Sequence, residues 1–123
     1  MEAIVVYGAF GGRLDHTMRN LRALFYYQGP IVMMSEDSIA FKVPEGHTIV
    51  KHSKNFESLI SCGILPASLT HIRTLGLRWN LGEAPWNKTS LETHISTSNE
   101  RTGDETEFWT EKDIVWIGTM IKQ

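Results

Sequence analysis

The sequence predicts a mainly β protein: a β-sandwich or jelly roll over residues 30–123, preceded by one strand and one helix within residues 1–29. Three observations predict it. Residues 31–121 divide into eight short strand-like segments separated by turns, the pattern of an all-β sandwich. The hydrophobic period changes from helical to strand-like at Gly29-Pro30, the only composition shift along the chain. With 123 residues and 41% hydrophobic side chains, the chain fits one domain of ordinary size and cannot be a disordered tail.

The elements follow in order. Ile4-Val5-Val6-Tyr7 is a β-branched run ending at Gly8, and after a glycine turn Leu14, Met18, Leu21, Leu24 and Phe25 recur at helical spacing. Asp15 or a neighbour is placed to cap this helix, Arg19 and Arg22 lie on its polar side, and Gly29-Pro30 stops it. Strands are expected at 31–34, 39–43, 47–50, 56–65, 70–77, 91–97, 106–109 and 114–121. Ser35 to Ser38 and Pro44-Glu45-Gly46 supply turns, and 98–107 is polar enough to form a mobile loop.

Twelve basic and 14 acidic side chains leave a net charge of −2, with no electrostatic footprint for nucleic acid, so an anionic ligand would have to be held locally. Cys62 is the only cysteine, which excludes an internal disulfide and a cysteine-based metal site; it reads as a small buried hydrophobe. His47, His52, His71 and His94 lack ligand spacing, and no serine stands in a nucleophile-elbow context. Nothing approaches the roughly 20 apolar residues that span a bilayer, and no signal-peptide pattern opens the chain. A soluble, cytoplasmic protein is expected, and the Asn87-Lys88-Thr89 triplet is then a chance match to a glycosylation signal.

The stretch richest in chemistry is Gly11-Gly12-Arg13-Leu14-Asp15-His16-Thr17. Glycines let a backbone approach a ligand closely, a helix N-terminus attracts anions, Arg13 can pair with phosphate, and Asp15 can hold a hydrated Mg²⁺. A tight strand-to-helix turn needs glycine whether or not anything binds, and Asp15 and His16 serve equally as capping or packing residues. Leu77-Arg78-Trp79-Asn80-Leu81 alternates, with Trp79 on the apolar side; an indole can stack on a flat heterocycle or attract a cation. Core burial is the default for tryptophan in a β protein and is assigned to Trp86, Trp109 and Trp116. Ser96-Thr97-Ser98-Asn99 ends a strand, where alternate hydroxyls share a face and the Asn99 amide offers donor and acceptor; solvation is the bland alternative.

Together with Val115-Trp116-Ile117-Gly118-Thr119-Met120 and, more weakly, Cys62 to Pro66, these motifs resemble in order and rough spacing the C-terminal part of thiamin pyrophosphokinases. The resemblance covers nearly the whole chain. It implies that residues 1–29 are the β-α remnant of an ATP-binding α/β domain and 30–123 the all-β thiamin-binding domain. It implies transfer of pyrophosphate from ATP to thiamin, with Mg²⁺, and a homodimer whose thiamin sites form between subunits. Asp15 and Arg13 would be catalytic, with Asp15 the metal ligand; Gly11, Gly12, Arg13 and His16 would bind the nucleotide; Trp79, Ser96, Ser98 and Asn99 would bind thiamin. The aspartate-rich Gly-Asp-x-Asp-Ser segment of the family is absent, so this chain alone is expected to be inactive and, with a lone strand and helix beside the β domain, prone to self-association. Two other classes stay open: a non-catalytic β-sandwich module binding a small heterocycle or sugar, and a purely structural or dimerisation domain.

Overall fold

A computed structural model describes residues 3–52, 61–82, 88–89 and 95–119. The β-branched run forms β1 (Ile4–Tyr7), and the periodic apolar stretch forms α1 (Leu14–Tyr26). Nine further strands follow: β2 (Ile31–Met34), β3 (Ser38–Val43), β4 (Gly46–Lys51), β5 (Ser61–Pro66), β6 (Thr70–Leu75), β7 (Lys88–Thr89), β8 (Ser96–Glu100), β9 (Glu105–Thr110) and β10 (Ile114–Thr119). They make two open sheets, six-stranded in the order β1-β2-β3-β10-β5-β8 and four-stranded in the order β4-β9-β6-β7. The fold is the mainly β sandwich that the turn-punctuated segments predict.

β10 shows why the layers stack as they do. Its side chains alternate between faces, so Ile114 and Trp116 enter the core between the sheets, while Val115 and Ile117 face a second core under α1. The first core joins Val43, Cys62, Ile64, Ile72, Leu77, Leu81 and Phe108, with the Phe108 and Trp116 rings edge-on at 5.5 Å. The second packs the fully buried Leu24 of α1 against Met33, Ala40 and Val115. The helix thus docks on the six-stranded sheet. Burial pushes the Cys62 thiol up to about 12.

β6 and β9 alternate strictly, sending Thr70, Ile72, Thr74, Thr106, Phe108 and Thr110 inward. The buried threonine hydroxyls are matched: Thr70 with Thr110 at 3.2 Å, and Thr106 with the His52 imidazole at 3.0 Å. Among the described residues no buried side-chain polar atom lacks a partner. The same alternation corrects one expectation. Trp109 is not core but points outward, stacked on His47 at 4.8 Å, with the Arg73 guanidinium 5.1 Å from its ring, because those residues are its register neighbours on β4 and β6.

Other differences are local. β6 stops at Leu75 because Gly76 adopts a φ of +90°. The segment expected to be a mobile loop is ordered: Ser98 to Glu100 belong to β8, Arg101 bridges to Leu77, and β9 begins at Glu105. α1 is capped by Arg13 in extended conformation, without a side-chain cap bond, and Asp15 lies in its first turn. Residues 56–60, 91–94 and 120–121 of the expected strands, and Trp86 and His94, lie outside the described residues.

Candidate functional site

β1 pairs in parallel with β2, which aligns the carboxyl ends of both strands. Open α/β sheets bind ligands just beyond such ends. Here the glycine turn leaves β1 with Gly8, Gly11 and Gly12 at φ of +83°, +89° and +67°, a region closed to most side chains. The Asn20 amide donates to the Ala9 carbonyl at 2.9 Å and ties the turn to α1. Between this turn and the Ser35 to Ser38 turn after β2 lies a crevice of about 560 Å³, lined by Tyr7, Gly8, Gly11, Thr17, Glu36 and Asp37 among others.

Arg13 and Asp15 stand at the mouth of the helix, both exposed, and pair with each other at 2.7 Å. The second Asp15 oxygen accepts the His16 backbone N–H at 3.0 Å. Such an exposed ion pair is worth about 0–1 kcal/mol, so either partner is readily redirected to a ligand. A Mg²⁺ site is another matter. The ion demands octahedral oxygen coordination, Asp15 is already shared between Arg13 and a backbone N–H, and among the described residues no group of three acidic, histidine or cysteine side chains gathers. Asp15 supplies at most one carboxylate.

The second group forms at the opposite edge of the six-stranded sheet. Leu77 and Leu81 are buried, but the chain between them turns instead of extending, and Trp79 is 53% exposed. The turn is built by two asparagines. Asn80 Oδ1 accepts the Leu77 N–H at 3.0 Å from inside the turn. From β8, the buried Asn99 accepts the Trp79 N–H at 3.2 Å and donates back to the Trp79 carbonyl at 2.9 Å. Asn99 also accepts the Glu100 N–H at 2.9 Å and donates to Ser96 Oγ at 3.3 Å. Over the indole lies the Arg78 guanidinium, 4.6 Å from the ring centroid and 3.3 Å from Glu100.

Trp79, Ser96 and Asn99 are therefore joined in one hydrogen-bonded group. Ser98 sits beside it, exposed, at a φ of +55° that few non-glycine residues adopt. The expected shared face for Ser96 and Ser98 is not formed: β8 is irregular against β5, and Ser96 is buried while Ser98 is not. Arg78 and Glu100, absent from the sequence candidates, belong to this group through the ring contact and the ion pair. Arg78 carried a signal, being adjacent to Trp79, but alternation placed it on the other face.

Residues 46–115 match the family model of the thiamin pyrophosphokinase vitamin B1 binding domain. The chain belongs to the thiamin pyrophosphokinase family. It is 34% identical over 119 residues to a thiamine pyrophosphokinase of Oryza sativa subsp. japonica, covering 92% of this chain and 43% of that one. A thiamin pyrophosphokinase of Caenorhabditis elegans is 31% identical over 106 residues, with 82% and 42% covered. Among solved structures, the thiamin pyrophosphokinase from Candida albicans superposes with a TM-score of 0.82 at 22% identity, over 97% of this chain and 44% of that one. The yeast enzyme gives 0.77 at 25% identity, over 95% and 39%. The chain thus carries the thiamin-binding domain of this family and spans less than half the length of the curated relatives it matches. No helix among the described residues is long and apolar enough to cross a membrane.

Proposed function

We propose that this chain is the C-terminal, thiamin-binding part of a cytoplasmic thiamin pyrophosphokinase, residues 1–29 being the end of its ATP-binding unit and 30–123 its thiamin domain. The observation that carries the reading is Trp79: a tryptophan exposed on a tightly bonded turn, inside the segment that matches a vitamin B1 binding domain. Its indole would stack on the heterocycle of thiamin, with the exposed Ser98 beside it and the buried Ser96 and Asn99 behind, holding the turn. Gly11, Gly12, Arg13 and His16 would receive the phosphates of ATP, and Asp15 would add one carboxylate to a metal site completed by groups outside this chain.

In the reaction so proposed, the thiamin hydroxyl oxygen forms a bond to the β-phosphorus of ATP while the bond from that phosphorus to the α–β bridging oxygen breaks. AMP leaves with the bridging oxygen, and the hydroxyl proton is lost. This chain's part is positioning and charge: Arg13 against phosphate oxygens, Trp79 against the acceptor.

The sheet order supports a second copy. The glycine turn leaves β1 and Trp79 adjoins β8, five strand spacings apart in the order β1-β2-β3-β10-β5-β8. At about 4.8 Å per spacing that is roughly 24 Å, too far for direct transfer within one copy. We therefore read the enzyme as a homodimer in which one copy's nucleotide end meets the other's thiamin end.

The test is a thiamin titration of this chain followed by tryptophan fluorescence, with Trp79→Phe as the control. Saturable quenching that disappears in Trp79→Phe is expected; quenching that survives it, or none from folded protein, refutes the reading. In a full-length enzyme, mixing inactive Asp15→Ala and Trp79→Ala chains should restore a fraction of turnover. A mixture as inactive as its components would refute the shared site. This chain alone should show no turnover, and measurable thiamin diphosphate formation would contradict that.

A further inference from the structure

Asn99 is buried to 3% exposure, yet its amide is one of the most heavily bonded side chains described. Its oxygen accepts from Trp79 N–H and Glu100 N–H, and its nitrogen donates to the Trp79 carbonyl and Ser96 Oγ. An asparagine amide has two donor hydrogens and one acceptor oxygen with two lone pairs. All four are engaged. A side chain so occupied has nothing left for a ligand, and little of its surface reaches solvent.

The two bonds to Trp79 hold both ends of one residue's backbone, so they fix its φ and ψ as a strand partner would. Three supports cooperate. The Arg78 N–H donates to the Glu100 carbonyl at 2.7 Å, the Thr102 N–H donates to the Gly76 carbonyl at 2.9 Å, and Asn80 closes the turn from within. Ser96, also buried, accepts from Asn99 and orients its amide. The Trp79 side chain itself is half in solvent, with the Arg78 guanidinium over its ring.

We propose that Asn99 is a positioning residue: it clamps the peptide groups of Trp79 so that the Cα–Cβ bond leaves the turn in one direction and the indole is presented on one side, and it acts on thiamin through Trp79 without touching it. Ser96 holds the clamp. The inference rests on the thiamin-binding reading for its ligand, but not for its mechanism. A clamped indole loses less conformational freedom on stacking, and pre-organisation of that kind strengthens binding without adding a contact.

The experiment uses this chain labelled with 5-fluorotryptophan. The four tryptophans give four fluorine signals, and Trp79→Phe identifies one. In ligand-free protein, Asn99→Ala should shift or broaden the Trp79 signal and leave the signals of Trp109 and Trp116 in place. Ser96→Ala removes only the bond that orients the Asn99 amide and leaves both bonds to Trp79, so it should have a smaller effect; it also serves should Asn99→Ala fail to fold. Thiamin affinity should fall roughly tenfold or more in Asn99→Ala, and in a Trp79→Ala background the same change should cost nothing further. An unmoved Trp79 signal in the folded variant overturns the clamp. So does a full additional loss of affinity in the Trp79→Ala background, which would mean direct contact. If the unaltered chain does not bind thiamin, the functional reading fails while the ligand-free spectra still decide the clamp.

Discussion

The two edges of the six-stranded sheet are built on opposite principles. At one edge β1 exposes Ile4, Val5 and Tyr7, and Leu14 and Met18 of α1 are exposed nearby. Strands in parallel pairing are normally covered on both faces, and among the described residues β1 pairs only with β2 and is the outermost strand. Its glycine turn is roomy: a methyl group at Gly8, Gly11 or Gly12 would meet nothing within 4 Å. At the other edge β8 is polar, its Asn99 and Ser96 are buried, and its neighbouring turn is bonded throughout. There a methyl group at Gly76 would run into the Glu105 carbonyl oxygen. One edge is complete in itself, and the other is shaped to be continued. In the function proposed, phosphate chemistry would fall to the incomplete edge and heterocycle binding to the complete one.

Glycine replacements separate the two most sharply. Gly76→Ala forces a left-handed backbone on alanine and a clash with backbone, so a loss above ~4 kcal/mol is expected, a large fraction of a typical ~5–15 kcal/mol total. Thermal melting should show little or no folded protein. Gly12→Ala meets open space and should cost only the left-handed penalty of about 1–2 kcal/mol. Equal losses at both sites would erase the distinction. Leu24→Ala comes next, at about 2–5 kcal/mol in urea unfolding, because Leu24 seats α1 on the sheet from full burial. A near-neutral result would mean that the helix is not integral to the fold.

Much of this was legible in sequence. β2, β3, β4 and β9 fall within a residue or so of the predicted spans because alternation and flanking turns agree, and the helical spacing of Leu14 to Phe25 marks α1. What local pattern missed was decided by long-range bonding. Leu77, Trp79 and Leu81 share a face in an extended chain, but Asn80 and Asn99 take up the backbone groups that would have continued the strand, and Trp79 is turned outward. The polar run from Ser98 looks like solvated loop until Gly76 and Arg78, far earlier in the chain, are seen to bond Thr102 and Glu100. Trp109 reads as core by composition, and only the inward phase of Phe108 reverses that.

The edges should also differ in solution. Val5→Lys places a charge on the open β1 edge, a common device against edge-to-edge pairing, and should reduce self-association of this chain in sedimentation velocity. Thr97→Lys, at an exposed position of β8, should reduce it less, acting only where the proposed dimer brings that end against β1 of the other copy. Association that responds equally to both changes would show that β1 is no special contact.

The smallest expected effect lies in the four-stranded sheet, beside the β8–β9 connection, and is electrostatic. His52 follows β4, where its N–H donates to the Asp104 carbonyl at 2.7 Å and its ring meets Thr106 Oγ1. Burial holds its pKa below the ordinary 6.5, Arg101 lowers it further, and Asp104 opposes them. A histidine depressed in the folded state binds its proton more readily when unfolded. Its contribution to stability is therefore present above pH 6.5 and lost as the pH falls from 6.5 through the folded value. The ring is only partly buried, so solvent screening keeps the loss below ~1 kcal/mol. Urea midpoints measured from pH 7.5 down to about 5 should decline with this slope superimposed on the carboxylate response, and His52→Gln should flatten it. A midpoint profile identical in His52→Gln would remove His52 from the acid response over that range.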